Sequence, residues 1–266
     1  MLAEELIALS QYPRETPPFT DTYLGLTPAQ GYEAAGALHR HRVASGWKPL
    51  GRKIGFTNRT IWPRYGVYEP IWGTVYDRTL TRASADHAVV ALDGLVNPRI
   101  EPEICFALKA APRGPGLEAL LEAIDWVAHS IEIVQSRFAG WKFQLADCTA
   151  ANGLHGHLVV GSPVPVRELP QLAGALPLLE VELLKEGAPV DRGVGANVLD
   201  SPLLALGHLV GVLASQPGAA PLTAGEIIST GTITDAHPVR PGETWSTRLR
   251  GLPLPGLTVR FTAFSK

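Results

Sequence analysis

Arg99-Ile100-Glu101-Pro102-Glu103-Ile104-Cys105-Phe106-Ala107-Leu108 places two carboxylates two residues apart inside an otherwise apolar run. Side chains alternate along a strand, so Glu101 and Glu103 share a face with Cys105 and Ala107, while Pro102, Ile104, Phe106 and Leu108 point the other way. Two like charges aimed at one spot repel, and burying either without a partner is costly or forces protonation. A positive charge is therefore expected between them. A third acid in a comparable apolar setting is Glu132, in Ser130-Ile131-Glu132-Ile133-Val134, and three carboxylates form a partial shell suited to Mg²⁺ or Mn²⁺. From periodicity alone, acids on the wet face of a strand fit equally well. Glu180 and Glu182 repeat the spacing on a run that ends at the Lys185-Glu186-Gly187 turn, where the outer face should be wet, and they serve as an internal comparison.

The chain that must position these groups has 266 residues, 45% of them hydrophobic and 18% charged, with a net charge of −2. That length can bury a substantial core, and the charge balance gives no field that would favour nucleic acid. A small neutral or anionic ligand is the more natural partner. Cys105 and Cys148 lack CxxC spacing, which argues against a disulfide framework and fits a reducing cytoplasm. The acidic start Met1-Leu2-Ala3-Glu4-Glu5 does not read as a signal peptide, and no run of about 18 apolar residues suggests a membrane span. With 27 Gly and 23 Pro, short strands joined by turns are expected.

Residues 2–10 read as a short amphipathic helix closed by the prolines of Tyr12 to Pro18. Thr27-Pro28-Ala29-Gln30 is a helix-start signature, and the helix should run to about Ser45 with Tyr32, Ala35, Leu38, Arg42 and Val43 on its packed face. Residues 49–57 read as a strand carrying Lys53 between apolar neighbours. The loop from Asn58 to Glu69 holds Trp62, Pro63, Arg64 and Tyr65, suited either to a lid or to an aromatic cluster that packs the loop down. It leads into a strand over 70–77. Strands are expected over 87–93, 99–108 and 130–136, with a helix over 117–129. Trp141 to Gly161 reads as irregular, with Asp147, Asn152, His155 and His157 in it. A hairpin starts at Leu178, an apolar helix covers 201–214, and Glu226 to Phe264 reads as three strands. The pattern suits a closed or rolled antiparallel sheet better than a βαβ array.

Lys53-Ile54-Gly55-Phe56-Thr57, Gly73-Thr74-Val75-Tyr76-Asp77, Arg99 to Ile104, Ile131-Glu132-Ile133-Val134-Gln135-Ser136-Arg137, and Asp147 to Asn152 followed by Val159-Val160-Gly161 stand in an order that resembles the fumarylacetoacetate hydrolase superfamily. Within it the chain is similar to the branch of 2-oxopent-4-enoate hydratases and 2-oxo-3-hexenedioate decarboxylases, over nearly its whole length. The resemblance implies an α+β fold: a mixed, mostly antiparallel rolled β-sheet forming a catalytic domain over 49–266, with a small N-terminal helical region over 1–48. It implies a divalent Mg²⁺ or Mn²⁺ held by Glu101, Glu103 and Glu132. A 2-oxo acid would chelate that metal through its carboxylate and keto oxygens, the ketone serving as electron sink. Lys53 and Asp77 are the implied proton-moving pair. Phe56, Thr57, Arg64, Tyr65 and Trp72 are implied in the loop that covers the substrate, with Asp147, Asn152, His155, Thr230 and Thr232 as further substrate-binding candidates. It also implies a homo-oligomer, with hetero-assembly with a pathway enzyme as a further option.

The expected activity is that of a hydratase of 2-hydroxy-dienoates from aromatic ring cleavage, with decarboxylation of a 2-oxo-enedioate as the alternative. Both reactions use the same electron sink, so the acids alone do not separate them. Carbon–carbon bond hydrolysis would need a His/Glu pair before the first strands, and none is found there. A non-catalytic assembly partner is disfavoured by the intact Lys53, Asp77, Glu101, Glu103 and Glu132. The chain departs from the branch at Ala150-Ala151-Asn152, where one acid is missing, at Leu154 and His155, and in the bulky Ile61-Trp62-Pro63-Arg64-Tyr65-Gly66 loop. Arg64 there suggests a substrate with a second carboxylate.

Overall fold

The alternation read around Glu101 is realised in β5 (Arg99–Leu108), a ten-residue strand that is buried along nearly its whole length. The computed structural model describes residues 1–216 and 218–263. On one face of β5, Ile100 packs between the two sheets of the fold, and Ile104 and Phe106 pack under the C-terminal helix; the opposite face carries Glu101, Glu103 and Cys105.

Before it come α1 (Leu2–Gln11), α2 (Phe19–Thr22), α3 (Pro28–Ala44), β1 (Pro49–Gly55), α4 (Trp62–Tyr65), β2 (Ile71–Tyr76), β3 (Leu80–Arg82) and β4 (His87–Ala91). After it come α5 (Leu117–Ala123), β6 (Ile124–Val134), α6 (Leu145–Ala150), β7 (His155–Val160), β8 (Val164–Pro165), α7 (Leu172–Ala175), β9 (Glu180–Lys185), β10 (Ala188–Val194) and α8 (Pro202–Ser215). The chain closes with β11 (Ile227–Ser229), β12 (His237–Pro238), β13 (Thr244–Arg250) and β14 (Thr258–Thr262). One mixed sheet runs β2-β1-β11-β5-β6-β7-β3, with β12 beside β5 and β8 beside β6. Among the described residues only β1 with β11 and β3 with β7 pair in parallel in it. A second sheet, β10-β9-β13-β14-β4, packs on its back through Leu183, Trp245, Val259 and Phe261 against Ile100, Ile131, Ile133 and Val159. This is the expected α+β architecture with a mixed, mostly antiparallel curled sheet.

Thr27 caps α3 as read from sequence, accepting from the Gln30 N–H while Gln30 returns to the Thr27 N–H. The packed face is rotated from the expected one. Gly31, Ala34 and Leu38 are buried, and Val43 is exposed. Gly31 sets this: a Cβ there would stand 2.6 Å from the Ala146 carbonyl, so α3 lies directly on α6 at that point.

The helix expected over 117–129 ends at Ala123, and β6 starts at Ile124 rather than at 130. Ile124 to Ala128 would suit a helical face, but they pair with Leu108 to Cys105 and complete a ladder that β5 would otherwise lack. Trp141 to Gly161 is also more regular than expected, holding α6 and β7. The tail forms four short strands instead of three, and Phe264 lies outside the described residues.

Candidate active site

Register places Glu132 of β6 directly opposite Glu101 of β5, with Glu103 opposite Ser130. One oxygen from each of Glu101, Glu103 and Glu132 lies within 4.8 Å of the others, and Glu103 and Glu132 are fully buried. Curling of the sheet brings in β1, where Lys53 Nζ lies 3.2 Å from Glu132 Oε2. Glu103 Oε2 accepts from the Ser229 hydroxyl at 2.5 Å and from the Gly231 N–H at 2.9 Å. Gly231 has φ +98°, and a Cβ there would collide with the Thr57 hydroxyl, so the backbone reaches Glu103 only because the residue is glycine. His155 Nδ1 faces Glu132 Oε1 at 2.8 Å, and its Nε2 lies 2.9 Å from the Thr79 hydroxyl.

Glu103 Oε1 is buried without a partner, and Glu132 Oε2 has none beyond its ion pair with Lys53. Native interiors rarely leave such atoms unpaired. Burial, with repulsion from Glu132 and Glu101, pushes Glu103 well above the usual carboxylate range; burial also pushes Glu101 up to about 8, against the opposing pull of Lys53. Burial opposes ionisation of Glu132 as well, but Lys53 and His155 outweigh it and hold that group low. Burial would lower the Lys53 ammonium, and Glu132, Glu101 and Glu103 together reverse the direction and raise it. With all three carboxylates ionised, as a bound cation would make them, they and the ammonium would sum to two negative charges. Orphaned oxygens and that charge fit a divalent cation with all-oxygen ligands. Glu180 and Glu182 behave as the comparison pair should: Glu180 is exposed, and Glu182 is answered by Arg192 and Arg248.

Over the acids lies a cavity of about 40 Å³, lined by Lys53, Thr57, Glu101, Thr232 and a wall of Phe56, Tyr65, Trp141 and Phe143, with room for no more than a few waters. Phe56 holds φ +54°, an uncommon conformation for a bulky residue, and its carbonyl accepts from the Trp62 indole N–H at 2.8 Å. Tyr65 stacks on Phe143 with centroids 5.5 Å apart, and its hydroxyl accepts from Arg99 Nη1 at 2.9 Å. Arg64 reaches across the mouth to Asp235 at 3.1 Å.

Several expected site residues are turned elsewhere. Asp77 lies at the far end of β2 from Lys53, accepting from the Lys48 N–H at 3.0 Å. Five residues of strand separate Lys48 from Lys53, about 15 Å, so the two do not form a proton-moving pair. Trp72 pairs with Ile54 on the sheet face opposite Lys53, stacks on Tyr32 and donates to Gln216. Both oxygens of Asp147 are taken by the Thr20 N–H, the Thr20 hydroxyl and the Gln144 N–H, which ties α2 to α6. The Asn152 amide clamps both backbone groups of Thr74. Thr230 donates to the Ile104 carbonyl. His155 is occupied with Glu132 and Thr79 and does not line the cavity. The sequence reading missed Ser229, Trp141 and Phe143; the aromatic spacing from Phe138 to Phe143 is the signal that could have found the last two.

No helix among the described residues is long and apolar enough to cross a membrane. No protein-family model matches the chain. The chain is 33% identical over 257 residues to a 4-oxalocrotonate decarboxylase of Pseudomonas sp. (strain CF600), covering 94% of this chain and 92% of that protein. It is 31% identical over 253 residues to a 2-keto-4-pentenoate hydratase of Paraburkholderia xenovorans (strain LB400), covering 94% and 90%. Among solved structures, 4-oxalocrotonate decarboxylase from Pseudomonas putida G7, complexed with magnesium and adipate, matches with a TM-score of 0.88 at 31% identity, over 98% of this chain and 95% of that one. A fumarylpyruvate hydrolase from Pseudomonas aeruginosa, in complex with Mn²⁺ and pyruvate, matches with a TM-score of 0.61 at 16% identity over 80% of this chain and 89% of that one, a likeness of fold alone.

Proposed function

Because this chain belongs to the family of 2-keto-4-pentenoate hydratases and 4-oxalocrotonate decarboxylases, within the fumarylacetoacetate hydrolase superfamily, it is a lyase with a divalent metal cofactor, and we propose that it hydrates a 2-hydroxy-dienoate or 2-oxo-alkenoate of aromatic-compound catabolism. The observation that carries this reading is the convergence of three buried or half-buried carboxylates, with Glu103 Oε1 left without a partner and Glu132 Oε2 met only by Lys53. Glu101, Glu103 and Glu132 are the residues we assign to Mg²⁺ or Mn²⁺. When bound, the ion polarises the substrate's keto group so that charge can accumulate on its oxygen.

The protein's own groups do the rest. Three acids surround Lys53 and raise it against the effect of burial, and its ammonium is placed to give a proton to carbon and take up the hydroxyl proton as the dienol becomes the ketone, and then to pass a proton from the incoming water to the enolate carbon. The buried Thr57 hydroxyl has no partner and is free to hold a substrate oxygen, with Thr232 beside it on the cavity wall. The rings of Phe56, Tyr65, Trp141 and Phe143 exclude bulk water, which protects the electron-rich intermediate and strengthens every charge interaction inside.

A second reading, decarboxylation of a 2-oxo-enedioate, is favoured by the TM-score of 0.88 to the solved decarboxylase. Incubating the purified chain with Mg²⁺ or Mn²⁺ and a panel of 2-hydroxy-dienoates and 2-oxo-enedioates separates the two: water addition without CO₂ supports hydration, and CO₂ release replaces it. We further propose a cytoplasmic homo-oligomer open to hetero-assembly with a pathway enzyme. Cys105 and Cys148 are free and buried, and the outer strands β4 and β10 expose Val89, Val190 and Val194 along unpaired edges. Light scattering tests the assembly state.

A further inference from the structure

We propose that the protein carries a second ligand site, on the back of the β1–β2 hairpin and separate from the three acids, which takes a small flat organic carboxylate such as a single-ring aromatic acid. Alternation along β1 turns Lys53 toward the acids and Arg52 the other way, where it stands opposite Thr74 on the face that also carries Trp72. α3 packs on that face through Tyr32 and His39. Between them lies a pocket of about 210 Å³, lined by Tyr32, Gly36, Arg40, Arg52, Trp72 and Thr74 among others. It shares no lining residue with the cavity over the acids.

Two guanidiniums line this pocket, and among the described residues no carboxylate does. Arg52 is fixed in place: its Nη1 donates to Glu226 Oε2 at 2.6 Å, outside the lining, and the group lies 5.6 Å from the centroid of the Trp72 ring. Glu226 answers that one charge and leaves the charge of Arg40. The excess is felt at His39, which burial and then Arg52, Arg40 and Arg42 hold below its ordinary value. A positive excess calls for an anion, and a guanidinium fork matches a planar carboxylate better than an ammonium does. The rings of Tyr32 and Trp72, stacked with centroids 5.4 Å apart, add a flat apolar wall for the body of that anion. The indole is held still by its hydrogen bond to Gln216 at 2.8 Å.

Gly36 is an independent sign. Glycine inside a helix costs stability against alanine, and at Gly31 the close approach to α6 accounts for it. Nothing comparable acts at Gly36, where a Cβ would meet only Arg40 Nη1, at 3.5 Å. What its missing side chain leaves open is the pocket. A cavity of about 150 Å³ admits benzene, so this one has room for a single ring with its carboxylate.

Titration calorimetry of the full chain, in the presence of excess Mg²⁺ and oxalate to occupy the acid centre, tests this with benzoate, with cyclohexanecarboxylate, which has the charge without the flat ring, and with benzyl alcohol, which has the ring without the charge. The expected result is one benzoate per chain, bound at least tenfold tighter than either of the others. Gly36→Leu, which puts a side chain into the pocket and is the better helix former, and Arg40→Gln should each weaken benzoate at least tenfold while remaining folded by circular dichroism, and Arg40→Lys should fall between. The indole N–H signal of Trp72, assigned with Trp72→Phe, should shift as benzoate is added. Absence of benzoate binding, equal affinity for the three compounds, or binding that neither Gly36→Leu nor Arg40→Gln weakens overturns the proposal. Glu103→Gln keeps the test apart from the metal reading: benzoate binding retained in that variant supports the second site whatever becomes of Mg²⁺ uptake, and benzoate binding lost there places the compound at the acids and overturns it.

Discussion

His155 Nδ1 lies 2.8 Å from Glu132 Oε1, while Lys53 Nζ lies 3.2 Å from Oε2 of the same carboxylate. One acid is thus gripped from both sides, its charge kept and its rotamer fixed. Orienting partners of this kind typically account for 10–100-fold in metal affinity. His155→Ala should therefore weaken Mg²⁺ or Mn²⁺ binding by roughly that factor, as calorimetry would read it, with His155→Gln intermediate. Unchanged affinity would reduce His155 to a packing residue.

The Arg64–Asp235 pair bridges the mouth of a cavity of about 40 Å³, too small for a five- or six-carbon acid. The short helix α4 that carries Arg64 must move for substrate to enter. Both partners are substantially exposed, so breaking the pair should alter stability by less than about 1 kcal/mol. Asp235→Asn should instead raise the association rate of oxalate with the metal-loaded protein, followed by stopped-flow quenching of Trp141 and Trp62 fluorescence. A slower association would mean that the pair assembles the site instead of closing it.

Asp77 and Asp147 separate activity from stability. Asp77→Asn should leave kcat/KM nearly unchanged, because its carboxylate serves the Lys48 N–H and not Lys53. Asp147→Ala removes two hydrogen bonds between α2 and α6 and the cap on the Gln144 N–H at the start of α6, and should cost about 2–4 kcal/mol in denaturant unfolding, while the folded fraction keeps its metal affinity. A large kcat loss in Asp77→Asn would return that residue to the chemistry.

His129 gives a pH dependence of stability. Buried fully, it donates from Nδ1 to the Glu103 carbonyl and accepts at Nε2 from Thr247, and burial drives its pKa down to about 4. A depressed folded value means the contribution is present above the unfolded value near 6.5 and is lost as pH falls toward 4. Up to about 3 kcal/mol is involved. His129→Asn, which can keep the Nδ1 bond, should be less stable at pH 7 yet lose less on acidification from 6.5 to 4. Parallel curves for the two proteins would contradict this.

β5 was legible because Glu101 and Glu103 stand in an apolar run at the two-residue period of a strand and not at the 3.6-residue period of a helix, and Thr27 with Gln30 announced α3 by local chemistry alone. The start of β6 was hidden: Ile124, Val127 and Ala128 satisfy a helical face as well as a strand, and only pairing with β5 decides between them. Local sequence also could not show that Asp147 answers Thr20, 127 residues away, or that Trp72 turns from the site because it pairs with Ile54 while Gly73 pairs with Lys53. The three acids were legible as a set. The groups that orient them, Ser229, Gly231 and His155, became assignable only once the curl of the sheet brought β11 and β7 beside them.

Metal uptake by the purified chain, measured by calorimetry with Mg²⁺ and Mn²⁺ in the presence and absence of oxalate, bears on the central claim most directly. The account predicts one ion per chain, tighter with oxalate present, and a loss of at least a hundredfold in Glu103→Gln and in Glu132→Gln while both variants remain folded by circular dichroism. No uptake of either ion even with oxalate, or uptake indifferent to both substitutions, would contradict it.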